Sequence, residues 1–493
     1  MTLTTAFDRF QIGDHIVFDK TFDQSQFDAF SSLSGDRNPF HHDAAYAARQ
    51  GSDERTIVPL HMTLAPLSMI AGMVFPGEPS LYLGHEIRAA KPVHYGETLR
   101  YSARIESVNQ SHRVLNLRVL ALKGASVVLD ATMRVQARYA DWEFNPLHPI
   151  RREGDATALI TGGSGEIGQA IAVALARQGY KLLLQDRGPS ARRDALTALL
   201  EHEKANFKIV AANLASDAGR SALALEAEAC EDLGLVVHTA SAPVEASAET
   251  HVAIAFTALE AIARAALPSM LARQSGAFVL LGTVAVETFP PGWETYAGAK
   301  MMATQSLRSL DTANRPYGVT GHTLAPGYVA TAFSEAYRGS DAPALLPAEL
   351  ASHLRDLLND RKSIDRDMIV ETGRVERGRF GFVPAGSRVQ PSASPAAGAQ
   401  ETDTSPLASV SSGDGADTQL RRSVLAALKL PTDFDLTGGG LGITPGWDSL
   451  RHIELLLTIE NQYGVRFTSG EIDATHRLDQ LTQLLQQKRK AQA

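Results

Sequence analysis

Residues 156–178 constrain the fold more than any other part of the chain. Residues 156–160 are short, apolar and strand-like, Thr161-Gly162-Gly163-Ser164-Gly165-Glu166-Ile167-Gly168 is a glycine-rich turn, and 169–178 have helical spacing. That order sets a helix N-terminus, with its unpaired N–H groups, at a strand end, where a pyrophosphate can lie. Strand and helix candidates continue at 181–185, 191–203, 207–212, 233–238 and 277–282. Such alternation predicts a doubly wound parallel sheet with helices on both faces.

The alternation does not cover the whole chain. Residues 384–418 are mostly Pro, Ser, Ala, Gly and Thr, a composition that cannot build a core. Treated as a flexible coil, this linker has a root-mean-square span of about 30 Å. A second boundary falls at 149–155, where Pro-Ile-Arg-Arg-Glu-Gly-Asp precedes the first strand of the sheet. The 493 residues then divide into 1–150, 151–383, the linker 384–418 and 419–493. A net charge of −8 gives no electrostatic case for nucleic acid or an anionic membrane. Cys230 is the single cysteine, so no intrachain disulfide forms and a reducing compartment fits. Residues 1–10 lack a signal-like apolar run, and no run approaches the roughly 18 apolar residues that cross a bilayer. A cytoplasmic protein is expected, with no metal site.

The N-terminal part carries Ser34-Gly35-Asp36-Arg37-Asn38-Pro39-Phe40-His41-His42-Asp43. Asn-Pro fixes a turn, because proline sets its own φ and pushes its predecessor away from helix. The turn can hold Asp36 and His41 on converging sides of a site. Adding water across an α,β-double bond needs groups that take and return a proton, and an Asp/His pair can activate that water. A lone histidine in a polar loop is more often incidental. The whole string, however, resembles the (R)-specific enoyl-CoA hydratase and MaoC-like dehydratase family, whose hot-dog fold wraps a curved antiparallel sheet around a long helix. The resemblance implies Asp36 and His41 as the catalytic pair and residues 58–73 as the central helix. It continues through Tyr82-Leu83-Gly84-His85 and Lys91-Pro92-Val93-His94-Tyr95-Gly96-Glu97-Thr98, then strand-like runs at 114–122 and 126–137. Where the family has His-Gly-Met at the helix start, this chain reads Leu60-His61-Met62. A backbone N–H there survives the change, while His61 adds bulk beside the acyl group.

In the middle part, Tyr296-Ala297-Gly298-Ala299-Lys300 puts Tyr296 and Lys300 on one helix face, where the ammonium can lower the phenol's pKa. Thr283, thirteen residues earlier, offers a hydroxyl to a substrate carbonyl, and Ala325-Pro326-Gly327-Tyr328-Val329-Ala330-Thr331 follows. Together these resemble the short-chain dehydrogenase/reductase family, close to the 3-oxoacyl-carrier reductases, over about 154–380. The resemblance implies a Rossmann-like sheet and an NAD or NADP site. Thr161, Gly162, Ser164, Ile167, Gly168, Asp186, Tyr296, Lys300, Pro326, Gly327 and Thr331 would bind the cofactor, with Thr283, Tyr296 and Lys300 catalytic. Asp186, at the end of the second strand, favours NAD, and Arg187 beside it blurs that preference. Four positions depart from the pattern. Glu166 stands for the middle glycine of the phosphate loop, His238-Thr239-Ala240-Ser241 for Asn-Asn-Ala-Gly, Thr283 for the serine, and Ala255 for the helix asparagine of the proton relay.

Near the C-terminus, Gly446-Trp447-Asp448-Ser449-Leu450 opens an apolar helical run through Ile453, Leu456 and Leu457. Asp and Ser are good helix-start residues, and a serine there is usually only a cap. Residues 419–487 nevertheless resemble an acyl carrier protein, a small helical bundle. This implies a 4′-phosphopantetheine arm on Ser449 and a phosphopantetheinyl transferase as partner. Arg451 and His452 stand where such carriers usually present acids.

The three resemblances converge on the β-carbon of a carrier-bound acyl thioester: a reductase makes the 3-hydroxyacyl group, and the hot-dog enzyme removes or adds water. Fatty-acid-like or secondary-metabolite biosynthesis follows as the setting, with a ketosynthase or acyltransferase as further partners and a homo-oligomer as the assembly. Two alternatives stand beside it. One is a hydratase–carrier fusion with an inactive reductase-fold scaffold that delivers its acyl group to an external transferase. The other is a free enoyl-CoA hydratase, against which the fused carrier argues.

Overall fold

The computed structural model describes residues 6–50, 55–77, 79–138, 145–152, 156–288, 290–339, 341–359 and 367–378, together with Leu425, Ile459, Val465 and 477–492. Met1–Val389 and Gln390–Ala493 are separate compact units.

The first unit opens with β1 (His15–Thr21), α1 (Phe27–Ser34), α2 (Ala44–Arg49), α3 (Leu60–Met73), β2 (Ser80–Ala89), β3 (Thr98–Asn109), β4 (Val114–Lys123) and β5 (Ser126–Ala137). The five strands form an antiparallel sheet in the order β1-β3-β4-β5-β2, and α3 packs on one face, a hot-dog-like arrangement. The expected helix over 58–73 starts two residues later because Pro59, in extended conformation, is its N-cap. Strand periodicity then explains why β4 is apolar almost throughout. Leu115, Leu117, Val119 and Ala121 point into the core around α3, whereas Leu120 and Leu122 point the other way.

What covers that other face is the second fold of the same unit. It contains β6 (Thr157–Thr161), α4 (Glu166–Ala176), β7 (Lys181–Asp186), α5 (Ala191–His202), β8 (Phe207–Ala211), α6 (Asp217–Ala229), β9 (Leu233–His238), α7 (Ala248–Val252), a π-helical turn Ala253–Thr257, α8 (Ala258–Arg273), β10 (Gly276–Leu281), α9 (Ala285–Thr288), α10 (Glu294–Asn314), β11 (Val319–Pro326), α11 (Ala332–Glu335), α12 (Pro347–Asn359), β12 (Asp367–Glu371) and β13 (Arg374–Gly378). Its sheet runs β13-β12-β11-β10-β9-β6-β7-β8, parallel except for the β12–β13 hairpin. Strand order reverses between β6 and β9, and the carboxyl ends there form the crevice where such sheets hold ligands.

Leu120, Leu122 and Val127 of the hot-dog sheet share one core with Leu259, Ile262, Ala266, Met270 and Leu271 of α8 and with Phe278 of β10. The run Ala248–Arg273 is, by length and composition, apolar enough to cross a membrane, with a hydropathy of 1.4, which corrects the expectation that no run reaches that length. Its packing between two sheets is that of a core helix. Polar bonds lock the contact. Gln274, held at φ 51 as the C-cap of α8, donates through Nε2 to Ser102 Oγ at 3.0 Å and to the Arg118 carbonyl at 3.1 Å. Arg104 donates to the Arg273 carbonyl at 3.3 Å and Arg88 to the Tyr317 hydroxyl at 2.9 Å.

In the second unit Leu425, Ile459, Val465, Leu481 and Leu485 are buried, the last two one turn apart on the helix Leu478–Gln492. Ser449 and the linker 384–418 lie outside the described residues.

A shared core predicts shared stability. Leu120→Ala should cost about 2–5 kcal/mol and should lower one common urea transition seen by both hot-dog and Rossmann-region probes. Two transitions, of which only one moves, would show that the cores are independent.

Candidate functional sites

The first site is built on a chain of turns. Gly35 ends α1 at φ 76, a left-handed value that suits glycine, and its N–H donates to the Ser31 carbonyl at 2.8 Å. Asp36 Oδ1 then accepts the Asn38 N–H at 2.9 Å, and Asn38 Oδ1 caps the 3-10 turn Pro39–His41 by accepting the Phe40 N–H. His41 Nδ1 lies 2.7 Å from the Ile57 carbonyl, which can only accept, so Nδ1 carries the proton. Nε2 faces Asp36 Oδ2 at 3.6 Å, too far for a direct hydrogen bond. The separation suits a pair that handles a water molecule between them.

Ile57 also ties this pair to its surroundings. Its N–H donates to the Phe40 carbonyl at 2.9 Å, it bridges to His94, and two residues on Pro59 begins α3 without a capping side chain. The Leu60 and His61 amides therefore sit in a first turn that has no intrahelical acceptors for them. Beside His94, the Tyr95 hydroxyl is sealed from solvent and has no hydrogen-bond partner among the described residues. Burial, and then the Asp36 charge, push it up to about 12, so it stays a proton donor. Tyr95 is a protic group that pattern reading missed, because nothing in Pro92-Val93-His94-Tyr95 shows that it shares the field of Asp36.

The second site is a cavity of about 1310 Å³ at the strand-order reversal. Gly162, Ser164, Ile167, Gly168, Asp186, Thr283, Tyr296, Lys300, Pro326, Gly327 and Thr331 all line it. Thr161 does not. It is fully buried beneath, where Oγ1 accepts the Thr239 and Ala240 N–H groups and donates to His238 Nδ1 at 2.9 Å. Two glycines are required by the protein's own packing: a Cβ at Gly168 would lie 2.2 Å from the Gly162 carbonyl, and Gly162 adopts φ 66. Gln185, which pattern reading also missed, holds the turn by accepting the Gly162 N–H at 2.9 Å and donating to the Ala212 carbonyl. The cradle thus fits a dinucleotide in shape.

Several side chains around it are already engaged. Both oxygens of Asp186 pair with Arg193, one at 2.7 Å, and Oδ1 also takes the Gly188 N–H, so the expected ribose ligand is occupied. Arg187 and Arg192 line the cavity instead. His238 is neutral, its pKa lowered to about 3 by burial and then by the Lys300 charge, and Nε2 donates to the Ile254 carbonyl at 2.8 Å in the π-helical turn. Ala255 is buried in the same turn.

Tyr296 is buried and its pKa is raised by burial, against which a hydrogen bond with Ser241 acts. The expectation that the ammonium lowers the phenol is not met in this state: Lys300 Nζ donates to the Leu281 carbonyl at 2.8 Å. Thr283 Oγ1 accepts the Ala285 N–H at 3.2 Å. Cys230, half-buried, is pushed up to about 11, first by burial, as an unreactive thiol is.

Burial pulls Lys300 down to about 8. It is a cation below that pH and neutral above it. Binding of NADH or NADPH, followed by nicotinamide fluorescence, should therefore weaken as pH rises through about 8. Lys300→Met should remove that limb, and an identical pH profile in the variant would contradict the assignment.

Comparison with known proteins assigns a family to each of the two folds. The MaoC like domain family matches residues 9–124, and the short chain dehydrogenase family matches 156–341. An uncharacterized oxidoreductase of Bacillus subtilis (strain 168), YmfI, is 30% identical over 186 residues, which span 36% of this chain and 75% of that protein. The 3-hydroxybutyryl-CoA dehydratase of Methylorubrum extorquens is 25% identical over 157 residues, 32% of this chain and 92% of that one. The (R)-specific enoyl-CoA hydratase of Aeromonas caviae is 29% identical over 120 residues, 24% and 89% respectively. Downstream of a MaoC-like hot-dog domain, the chain belongs to the short chain dehydrogenase family.

Proposed function

We propose that this chain processes the β-carbon of acyl thioesters, interconverting enoyl and 3-hydroxyacyl groups at Asp36 and His41 and reducing 3-oxoacyl groups at Tyr296. The observation that carries the reading is His41, whose Nδ1–H is pinned on Ile57 while its Nε2 faces Asp36. In hydration Nε2 takes a proton from water held against Asp36, the hydroxyl adds to the β-carbon, and a proton is returned to the α-carbon. Dehydration runs the same steps backwards. The first-turn amides of α3 polarise the thioester carbonyl, and the Tyr95 hydroxyl, which has no partner among the described residues, holds the water or the thioester oxygen.

In the second site a bound dinucleotide would supply the hydride. Tyr296 gives its proton to the carbonyl oxygen, Thr283 holds that oxygen, and Lys300 must leave the Leu281 carbonyl to reach the ribose and Tyr296. With Asp186 committed to Arg193, and Arg187 and Arg192 facing the cavity, a 2′-phosphate is better served than a bare ribose, so NADP is favoured over NAD.

On the strength of its Asp448-Ser449-Leu450 motif, the C-terminal part is read as a carrier bearing 4′-phosphopantetheine on Ser449, installed by a phosphopantetheinyl transferase. A carrier on a linker of about 30 Å raises the local substrate concentration to about the millimolar range. An acyltransferase or ketosynthase would then exchange the acyl group, and the protein would act as a homo-oligomer. The rival, a hydratase–carrier fusion with an inactive Rossmann scaffold, draws its support from Glu166 and Ser241 standing where the family has glycines.

Hydration of crotonyl-pantetheine, followed by loss of enoyl absorbance, tests the first site. Asp36→Asn and His41→Ala should each lower kcat by about 10²–10⁴-fold with unchanged thermal midpoints. Tyr95→Phe should cost about tenfold, the worth of one hydrogen bond. Undiminished hydration in Asp36→Asn would refute the assignment.

A further inference from the structure

The phosphate loop keeps glycine where the protein needs it and has lost it where only a ligand would. Gly162 needs its positive φ, and a side chain at Gly168 would collide with backbone. Position 166 makes no such demand. It is the first residue of α4, in ordinary helical conformation, and its side chain lines the cavity. Glu166 uses that freedom to reach another lining residue: its exposed Oε2 accepts the Ala332 N–H at 3.0 Å, joining the starts of α4 and α11, 166 residues apart in sequence.

A carboxylate in this place has the same needs as a phosphate. It is an anion at the amino end of an eleven-residue helix, stabilised by the unpaired N–H groups of the first turn, and it holds one further backbone donor. A dinucleotide diphosphate laid against α4 would meet a like charge and would find the Ala332 donor taken. Of the other charged groups that line the cavity, Asp186 is paired with Arg193 and Lys300 donates to the Leu281 carbonyl, while Glu371 adds a carboxylate and Arg187 and Arg192 add two cations.

Resting on the reading of this cavity as a dinucleotide site, we propose that Glu166 is an internal competitor for the diphosphate. A dinucleotide binds by displacing that side chain from Ala332. Glu166 is thus a residue that sets cofactor affinity rather than one that takes part in the chemistry.

The test is a titration of the full chain with NADPH, followed by nicotinamide fluorescence, for the wild type, Glu166→Gln and Glu166→Gly. Removing the like charge should tighten binding about 10- to 100-fold in Glu166→Gly. Glu166→Gln, which loses the charge but keeps the bulk, should fall between. Unchanged thermal midpoints would show that the fold is intact in each protein. Equal affinity in all three, or weaker binding in Glu166→Gly, would overturn the competition while leaving the dinucleotide site standing. No binding by any of the three would overturn both the competition and the reductase reading.

Discussion

The burial of α8 between two sheets is the interaction on which the first unit depends. Its apolar residues meet the Rossmann sheet and, through Leu120, Leu122 and Val127, the outward face of the hot-dog sheet. Period-two alternation in β4 makes this possible, since one strand supplies consecutive residues to two cores. Neither fold could expose these leucines to water without losing their burial, at about 25 cal/mol per Å² of apolar surface. Two sites are thereby set on one unit, in one fixed framework.

The two sites differ in readiness. At the hot-dog site the tautomer of His41 is set by Ile57, Asp36 is anchored by Asn38, and the Tyr95 hydroxyl has no hydrogen-bond partner among the described residues. At the Rossmann site the protein's own groups satisfy each other: Asp186 with Arg193, Lys300 with Leu281, Tyr296 with Ser241, and Glu166 with Ala332. Buried polar groups left unpaired are costly, so such self-satisfaction stabilises Asp186, Lys300 and Tyr296 in these positions. A ligand must then replace each bond that it breaks.

Much of this was legible in the sequence because it rests on local chemistry. The β6–α4 turn announced the parallel sheet, and Asn38-Pro39 announced the turn that orients Asp36 and His41. The residues that escaped notice are those whose roles arise from long-range contact. Tyr95 matters through Asp36, 59 residues away, and Gln274 through Ser102, 172 away. Asp186 looked like a ribose ligand until α5 brought Arg193 to it, one helical segment later. Thr161 read as a cofactor residue because the motif includes it, yet its hydroxyl is spent on the His238-Thr239-Ala240 turn. That network also shows how histidine can replace asparagine there: with Nε2–H on the Ile254 carbonyl, Nδ1 becomes the acceptor that the threonine hydroxyl needs.

The most direct test of β-carbon processing is product analysis by mass after the full chain meets acetoacetyl-pantetheine and saturating NADPH. The expected product is a thioester that gains two hydrogens and then loses water. Recovery of the acetoacetyl thioester unchanged, with the dinucleotide still reduced, would contradict it.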